Sequence, residues 1–334
     1  MADMKKKTVY LETGSTDPAY NLAFEEYILH NKNQCDYMIL WQNDNAVIIG
    51  RNQNLEQEIN KGFIRQHGIS VIRRNTGGGA VYHDQGNLNY SFITSISDEG
   101  SICIDRFTEI VVTALKKLGL NAVASGRNDI CINGKKVSGT AQHLYKKRLL
   151  YHGTMLFDSD IDKMTGALNV DREKFESKGV NSIVSRVGNI RDCLSKDMTM
   201  TQFWNYLKKN MMNEGLAEEF ITKEEYEKIC ALKKEKYDSW EWNFGKSPQF
   251  TVRNKSRWKG GSIEVGLVVK NGRIEDIAIY GDFLALSPID ETISRLKGRK
   301  FLKKDILEAL EGENFKEVFG EITKTELINT IFQE

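Results

Sequence analysis

Apolar and polar positions change period several times along the chain, and the first 160 residues read as short strands with helices between them. Residues 7–13 predict a strand. Asp17-Pro18 opens a helix, with Asp at the cap and Pro at the first helical position, and Leu22, Glu25, Glu26 and Leu29 follow at helical spacing. The apolar runs 37–41 and 46–50, separated by Gln42-Asn43-Asp44-Asn45, predict a hairpin. Residues 55–67 predict a helix ended by Gly68, and 70–74, 80–83 and 87–94 predict extended segments around a Thr76-Gly77-Gly78-Gly79 loop. Residues 105–118 are amphipathic: Phe107, Ile110, Val111, Ala114, Leu115 and Leu118 keep one face apolar, and Gly119 ends the run. Strands at 121–125 and 129–132 lead through Asn133-Gly134, a type I′ turn signal, into 135–142; the basic turn Lys146-Lys147-Arg148 leads into 149–157. Mostly antiparallel order with interspersed helices means α+β rather than a doubly wound array.

From 161 to 237 the pattern is mainly helical, most clearly at 200–213 and 223–236, and it shifts again near Ser239. Residues 262–269, Asn271-Gly272 and 273–280 predict a second hairpin, and helical stretches at 288–296, 303–310 and 322–331 complete a small α+β unit. A boundary near 245–252 divides the chain into residues 1–246 and 252–334.

The length of 334 residues agrees with two such domains. Lys+Arg 47 against Asp+Glu 46 leaves a net charge of +1, so neither a nucleic-acid nor a polybasic membrane partner is expected. No apolar run approaches the length of a membrane span, and the Met-Ala-Asp-Met-Lys-Lys-Lys start has no apolar stretch behind it, so no secretory signal is read there. Cysteines at 35, 103, 131, 193 and 230 form no CxxC pair; buried free thiols in a reducing cytoplasm are the expectation.

The densest chemistry lies in Arg73-Arg74-Asn75-Thr76-Gly77-Gly78-Gly79-Ala80-Val81-Tyr82-His83-Asp84. Three consecutive glycines between strand-like runs suit a backbone that approaches a ligand closely and presents N–H groups to an anion. The preceding arginines offer planar, permanently charged forks for phosphate or carboxylate. The bland alternative is a glycine-rich bulge beside a solvated basic pair. No GxxxxGK[ST] or GxGxxG occurs, so a nucleotide bound here uses another scaffold. In the predicted hairpin, Asp129 and Lys136 lie on paired strands, and alternation sends Lys135 and Lys136 to opposite faces, so at most one faces inward. His152 follows in Tyr151-His152-Gly153-Thr154, as a substrate partner or a structural histidine. HExxH and GxSxG are absent, against a zinc hydrolase and an α/β-hydrolase.

Taken together these segments resemble the lipoate–protein ligase A family. The resemblance is carried by 17–26 (Asp17-Pro18 through Glu25-Glu26), Arg73-Arg74 with 76–84, Gly86-Asn87, Gly126-Arg127-Asn128-Asp129, Lys136-Val137-Ser138-Gly139 and His152-Gly153-Thr154. It continues in Lys178-Gly179-Val180 and in Ser239-Trp240-Glu241-Trp242-Asn243-Phe244-Gly245, so it spans nearly the whole chain. It implies a biotin/lipoate ligase-like mixed sheet with flanking helices and a small C-terminal accessory domain. It also implies two half-reactions: lipoate and Mg·ATP give lipoyl-AMP and pyrophosphate, and an acceptor lysine then takes the lipoyl group. By the same resemblance Lys136 is the catalytic lysine, touching both acyl group and phosphate. Arg74, Gly79, Ala80, Val81 and Tyr82 bind ATP, with Asn87 and Asp129 in polar or Mg2+-linked roles. Arg73, Thr76, Gly77, Gly78 and His152 border lipoate, and Leu22, Trp41 and Val81 wall its chain. Where some relatives carry a longer insertion before the lysine, this chain has the tight Asn133-Gly134 turn; aligning on Lys136-Val137-Ser138-Gly139 selects Lys136 over Lys135. The implied acceptors are lipoyl domains of 2-oxoacid dehydrogenase E2 subunits and glycine-cleavage H protein. The competing readings are a cysteine-dependent octanoyl- or lipoyl-transferase using Cys103 or Cys131, a biotin ligase, and a non-catalytic acyl-carrier-binding module.

Overall fold

A computed structural model describes residues 7–53, 55–96, 105–169, 186–211, 217–244 and 252–333. The first part of the chain contributes β1 (Thr8–Glu12), β2 (Asp36–Trp41), β3 (Ala46–Ile49), β4 (Ser70–Arg73), β5 (Val81–His83), β6 (Asn87–Ser95), β7 (Ala122–Ser125), β8 (Asp129–Ile132), β9 (Lys135–Tyr145), β10 (Arg148–Leu156) and β11 (Ala217–Glu218). Eight of these form one mixed sheet in the order β11-β1-β2-β6-β10-β9-β8-β7. The β11–β1 and β1–β2 pairs are parallel and the rest antiparallel. A smaller sheet, β4-β3-β5, stands apart from it.

The helix Pro18–Asn31 lies between the two sheets and is buried from Pro18 through Leu29. Alternation along β2 explains how the large sheet faces two cores at once. Tyr37, Ile39 and Trp41 pack toward this helix, whereas Met38 and Leu40 join the core formed with Asp105–Lys117 and Met200–Asn210. Asp17 caps the buried helix, its Oδ1 accepting from the N–H groups of Ala19 (2.9 Å) and Tyr20 (3.4 Å), and Pro18 fills the first turn as its sequence position predicts.

The apolar runs 37–41 and 46–50, expected to pair as a hairpin, do not pair. β2 lies between β1 and β6, and β3 lies between β4 and β5. Residues 37–41 and 46–50 are buried throughout, so no solvent-facing polar set specifies a partner. The connecting residues also spend their hydrogen bonds elsewhere: Asp44 N–H donates to the Thr16 carbonyl (2.9 Å), and Asn21 Nδ2 donates to the Gln42 carbonyl (2.7 Å) and to Asn43 Oδ1 (2.9 Å). The helix expected over 55–67 is two helices, Leu55–Glu58 and Lys61–Gln66, because Ile59 pairs with Leu168 and Asn60 caps the second.

The C-terminal unit is an antiparallel sheet, β12 (Val252–Trp258), β13 (Gly261–Lys270) and β14 (Arg273–Gly281), backed by helices Asp290–Leu296, Lys303–Ala309, Phe315–Phe319 and Lys324–Phe332. β12 escapes the sequence pattern because Arg253, Lys255 and Arg257 leave it only two large apolar side chains, Val252 and Trp258. Residues 281–286 cross to the first part of the chain. Gly281 N–H donates to the Asn52 carbonyl (2.7 Å), Gly78 N–H to the Phe283 carbonyl (3.3 Å) and Leu144 N–H to the Leu286 carbonyl (2.6 Å). Among the described residues no helix is long and apolar enough to cross a membrane.

Removing the Asp17 cap by Asp17→Ala is expected to cost about 1 kcal/mol, and Asp17→Asn to cost much less. Urea unfolding followed by far-ultraviolet circular dichroism measures both; equal loss from the two would refute the capping role.

Candidate functional site

The site begins with an irregularity in a hairpin. In β8–β9, Ile130 pairs with Ser138 but Cys131 pairs with Lys136, so one extra residue, Val137, is inserted in β9. A regular strand would put Lys136 and Gly139 on opposite faces. The bulge brings them to the same face. Lys136 then lies across Gly139 and reaches Asp129, the cross-strand partner of Gly139, with Nζ 2.7 Å from Oδ1. A Cβ on residue 139 would stand 2.9 Å from Lys136 Nζ, which is why a glycine occupies that place. Lys135 is exposed, and its methylenes pack beside Gly188.

The glycine loop faces this lysine. Its shape is set by Arg74, which is buried with its guanidinium turned into the loop. Nε donates to Thr76 Oγ1 (2.8 Å), and the terminal nitrogens donate to the carbonyls of Ile48 (3.1 Å), Gly77 (2.6 Å) and Gly79 (2.8 Å). Burial, with Arg73 beside it, lowers its pKa to about 10, which leaves it a cation at neutral pH. The three glycines serve different ends. A Cβ on Gly77 would stand 2.6 Å from the Phe283 carbonyl oxygen, so this glycine lets the C-terminal unit approach. Gly78 has φ +88°, a left-handed conformation that disfavours a side chain. Only at Gly79 is the space beyond Cα open. Arg73 turns the other way, donating to the carbonyls of Gly50 (2.9 Å), Gln53 (2.8 Å) and Asn243 (3.2 Å).

A relay of side chains supports the loop from below. Arg74 donates to Thr76, and Thr76 Oγ1 lies 2.9 Å from His152 Nε2. His152 Nδ1 lies 3.1 Å from each carboxylate oxygen of Glu25, which also accepts from Ser91. The polarity of the chain sets the histidine tautomer: Nδ1–H donates to Glu25, and Nε2 accepts from the threonine hydroxyl.

A cavity of about 100 Å³ opens between the loop and the lysine. Leu22, Trp41, Ile48, Val81 and Ala141 supply apolar wall; Lys136 and Asn128 lie on the hairpin side. At the polar wall His83 and Asn89 matter most. Asn43 Nδ2 donates to His83 Nδ1 (3.0 Å), which leaves the proton on Nε2, and that nitrogen has no partner among the described residues. Asn89 Nδ2 is likewise without a partner there. Two buried donors without a partner among the described residues therefore border the cavity beside its apolar wall, and a ligand acceptor group would satisfy them. Burial, and secondarily the cation of Arg74, pushes the His83 imidazole down to about 3, so it is neutral.

Residues 17–212 match the family model described as the lipoyl protein ligase A/B catalytic domain, and residues 247–331 match that of the bacterial lipoate protein ligase C-terminus. The chain belongs to the lipoate–protein ligase family. It is 43% identical over 321 residues to the lipoate-protein ligase LplJ of Bacillus subtilis, covering 95% of this chain and 97% of that one. Its fold superposes on P. falciparum LipL1 in complex with lipoate with a TM-score of 0.79, at 25% identity over 98% of this chain and all of that one. On a lipoate-protein ligase A bound with ATP the TM-score is 0.62, at 32% identity over 72% of this chain and 99% of that one. The mixed sheet with flanking helices and the small C-terminal sheet and helices are those that the resemblance implies, and the chain is an ATP-dependent ligase.

Within this ligase, Arg74, Gly78, Gly79, Ala80, Val81, Lys136 and His152 of the residues implied by the sequence line the cavity, as do Leu22 and Trp41. Arg73, Thr76, Gly77, Tyr82, Asn87 and Asp129 do not. Tyr82 packs on the far side of β5, its hydroxyl on Asn45 (3.0 Å), and Asn87 donates to Asn89 (2.9 Å), the neighbour that does reach the cavity. The sequence reading missed Asn89, His83 as a donor, and Glu25 with Glu26, whose only signal was two acids in the middle of an apolar helix. Cys103 and Lys178-Gly179-Val180 lie outside the described residues. Cys131 shares the lysine's face of the hairpin, but the family and its C-terminal unit do not favour the transferase reading. Among the described residues no three His, Cys, Asp or Glu side chains converge on a metal position.

Gly139→Ala is expected to displace Lys136 with little loss of stability, since the atom it meets is the end of a flexible chain, and to slow lipoyl-AMP formation at least tenfold; an unaltered rate would refute the packing argument. A second expectation concerns acid. Burial lowers His83 to about 3 and His143 to about 4, below the ordinary 6.5. Both are neutral in the fold and take up protons on unfolding. Their stabilisation is complete above pH 6.5 and is lost as pH falls toward 4, by about 1.4 kcal/mol per pH unit for each. Denaturant titrations at pH 7, 6 and 5 should show this, and His143→Asn should make the decline shallower.

Proposed function

We propose that Lys136 carries the adenylation step of this ligase. The supporting observation is its placement: Nζ is held over Gly139 by Asp129, on the wall of a cavity lined by Leu22, Trp41 and Val81 and bordered by the glycine loop. The lipoate chain occupies the apolar slot, with its carboxylate toward Lys136. A carboxylate oxygen attacks the α-phosphorus of ATP, the bond to the bridging oxygen breaks, and pyrophosphate leaves. A carboxylate is a weak nucleophile toward an anionic phosphate, so alignment and charge neutralisation dominate the barrier. The lysine ammonium is close to both groups and neutralises both. In the second half-reaction the ε-amine of an acceptor lysine attacks the acyl carbon, the amide forms and AMP leaves, with the ammonium now stabilising the departing phosphate.

The remaining assignments follow the same reading. Arg74 shapes the loop from which Gly79, Ala80 and Val81 meet the nucleotide. Tyr82 and Asn87 act from behind the cavity wall, Asp129 acts by holding Lys136, and Arg73, Thr76 and Gly77 act through loop shape. Mg2+ would be held chiefly by the phosphates of ATP, with Asp129 on the lysine's face as the protein ligand, and would neutralise the departing pyrophosphate. The acceptors are lipoyl domains of 2-oxoacid dehydrogenase E2 subunits or glycine-cleavage H protein. Catalytic and accessory domains divide as 1–246 and 252–334. The free thiols of Cys35, Cys131, Cys193 and Cys230 suit a reducing cytoplasm.

Lys136→Ala is expected to abolish lipoyl-AMP and pyrophosphate release while the circular dichroism spectrum stays unchanged; Lys135→Ala should stay within about twofold of the unaltered enzyme. Adenylate measured by mass spectrometry, followed by intact mass of an acceptor domain, reads both steps. Equal loss from the two substitutions would overturn the assignment.

A further inference from the structure

Residues 223–244 lie between the two stretches matched by family models, yet they hold the start of the glycine loop. The helix Lys223–Leu232 runs into a π-helical turn, Lys233–Tyr237, and then into the short helix Trp240–Asn243. Turns of this wider kind recur at functional sites because they re-aim side chains. Here Lys236 and Tyr237 both point back toward Glu26. Lys236 Nζ donates to both Glu26 oxygens (2.9 and 2.8 Å) and to Asn75 Oδ1 (2.8 Å), and lies 4.1 Å above the Trp242 ring. Tyr237 donates to Glu26 Oε2 (2.6 Å) and accepts from Asn75 Nδ2 (3.0 Å). Both ends of the Asn75 amide are thereby held. The next helix does the same for the main chain of Arg73. Asn243 Oδ1 accepts from its N–H (2.8 Å), and Trp242 Nε1 donates to its carbonyl (2.8 Å), so two side chains complete the open edge of β4.

Glu25 and Glu26 are successive residues of the buried helix, about 100° apart around its axis. Glu25 holds Thr76 through His152, and Glu26 holds Asn75 through Lys236 and Tyr237. The loop's first residues are thus fixed from two sides before the glycines begin. Lys236 and Tyr237 do not line the cavity; the side-chain bonds that tie them to the loop are those to Asn75.

We propose that Lys236 and Tyr237, seated on Glu26, are positioning residues that set the glycine loop for ATP. The connecting segment is then a working part of the nucleotide site. This rests on the adenylating reading of the cavity. The test compares Lys236→Met, Lys236→Arg and Tyr237→Phe in the full-length chain. Three quantities are measured: KM for ATP in lipoyl-AMP formation, lipoate affinity by calorimetry, and the active fraction from the burst of adenylate. Lys236→Met should raise KM for ATP about tenfold, with lipoate affinity and active fraction within twofold. Lys236→Arg, which keeps the charge on Glu26 and Trp242, should recover most of it. Tyr237→Phe removes one hydroxyl and should give a smaller rise of the same kind, so the test survives if Lys236→Met does not fold. Adding Asn75→Ala to Lys236→Met should raise KM no further, because both changes release the same amide. A fall in melting temperature or active fraction at constant KM for ATP would overturn the proposal and leave a merely structural clasp. Multiplying effects of the two substitutions would overturn it equally. No adenylate from the unaltered enzyme would instead refute the ligase reading itself.

Discussion

Two adjacent carboxylates buried in one helix are the constraint on which the site depends. Glu25 and Glu26 are 2% and 7% exposed in the middle of Pro18–Asn31, which is otherwise packed among apolar side chains of both sheets. A buried carboxylate is tolerated only with charged or multiple hydrogen-bonding partners. Each acid has found them in a different direction, one through Ser91 and His152, the other through Lys236 and Tyr237. Lys236 and the hydrogen bonds it joins hold the Glu26 carboxyl below its usual range against a strong opposing effect of burial. The need to satisfy these two groups ties the central helix to the large sheet, to the connecting helices and to the loop between β4 and β5.

That loop serves two surfaces. Its outer side receives the C-terminal unit, with the Phe283 carbonyl against Gly77 and accepting from Gly78 N–H. Its inner side borders the cavity at Gly79, Ala80 and Val81. A run of three glycines is costly in chain entropy, and a single ligand contact does not account for all three. One glycine admits another backbone, one takes a left-handed conformation, and one borders open space. The cavity and the C-terminal unit are therefore coupled through the same few peptide groups.

The hairpin opposite solves a different problem. A lysine on a cavity wall must be held without being buried in apolar surroundings. The bulge at Val137 rotates Lys136 onto the face of Gly139 and Asp129, and the missing side chain at 139 provides the bed on which its methylenes lie. The paired Asp129 carboxylate, 2.7 Å away, keeps the ammonium in place at the cavity wall.

Much of this was legible in the order of residues. Periodicity placed most strands and helices, because alternation and helical spacing follow directly from which side chains must face a core. The cap at Asp17, the turn at Asn133-Gly134, the glycine run and the preference for Lys136 over Lys135 are all local or motif-borne. Four things were decided only by the fold. β2 and β3 chose partners outside their expected hairpin, since both are buried and nothing polar marks a register. Arg73 and Arg74 became scaffolds of the loop rather than open anion forks, because carbonyls from β3, the glycine run and residues 242–243 converge on them. His83 and Asn89 became the open donors because their neighbours Asn43 and Asn87 had already engaged the other half of each side chain. The clasp of Lys236 and Tyr237 on Asn75 joins residues about 160 positions apart. Proximity across such distances belongs to packing, which no window of sequence contains.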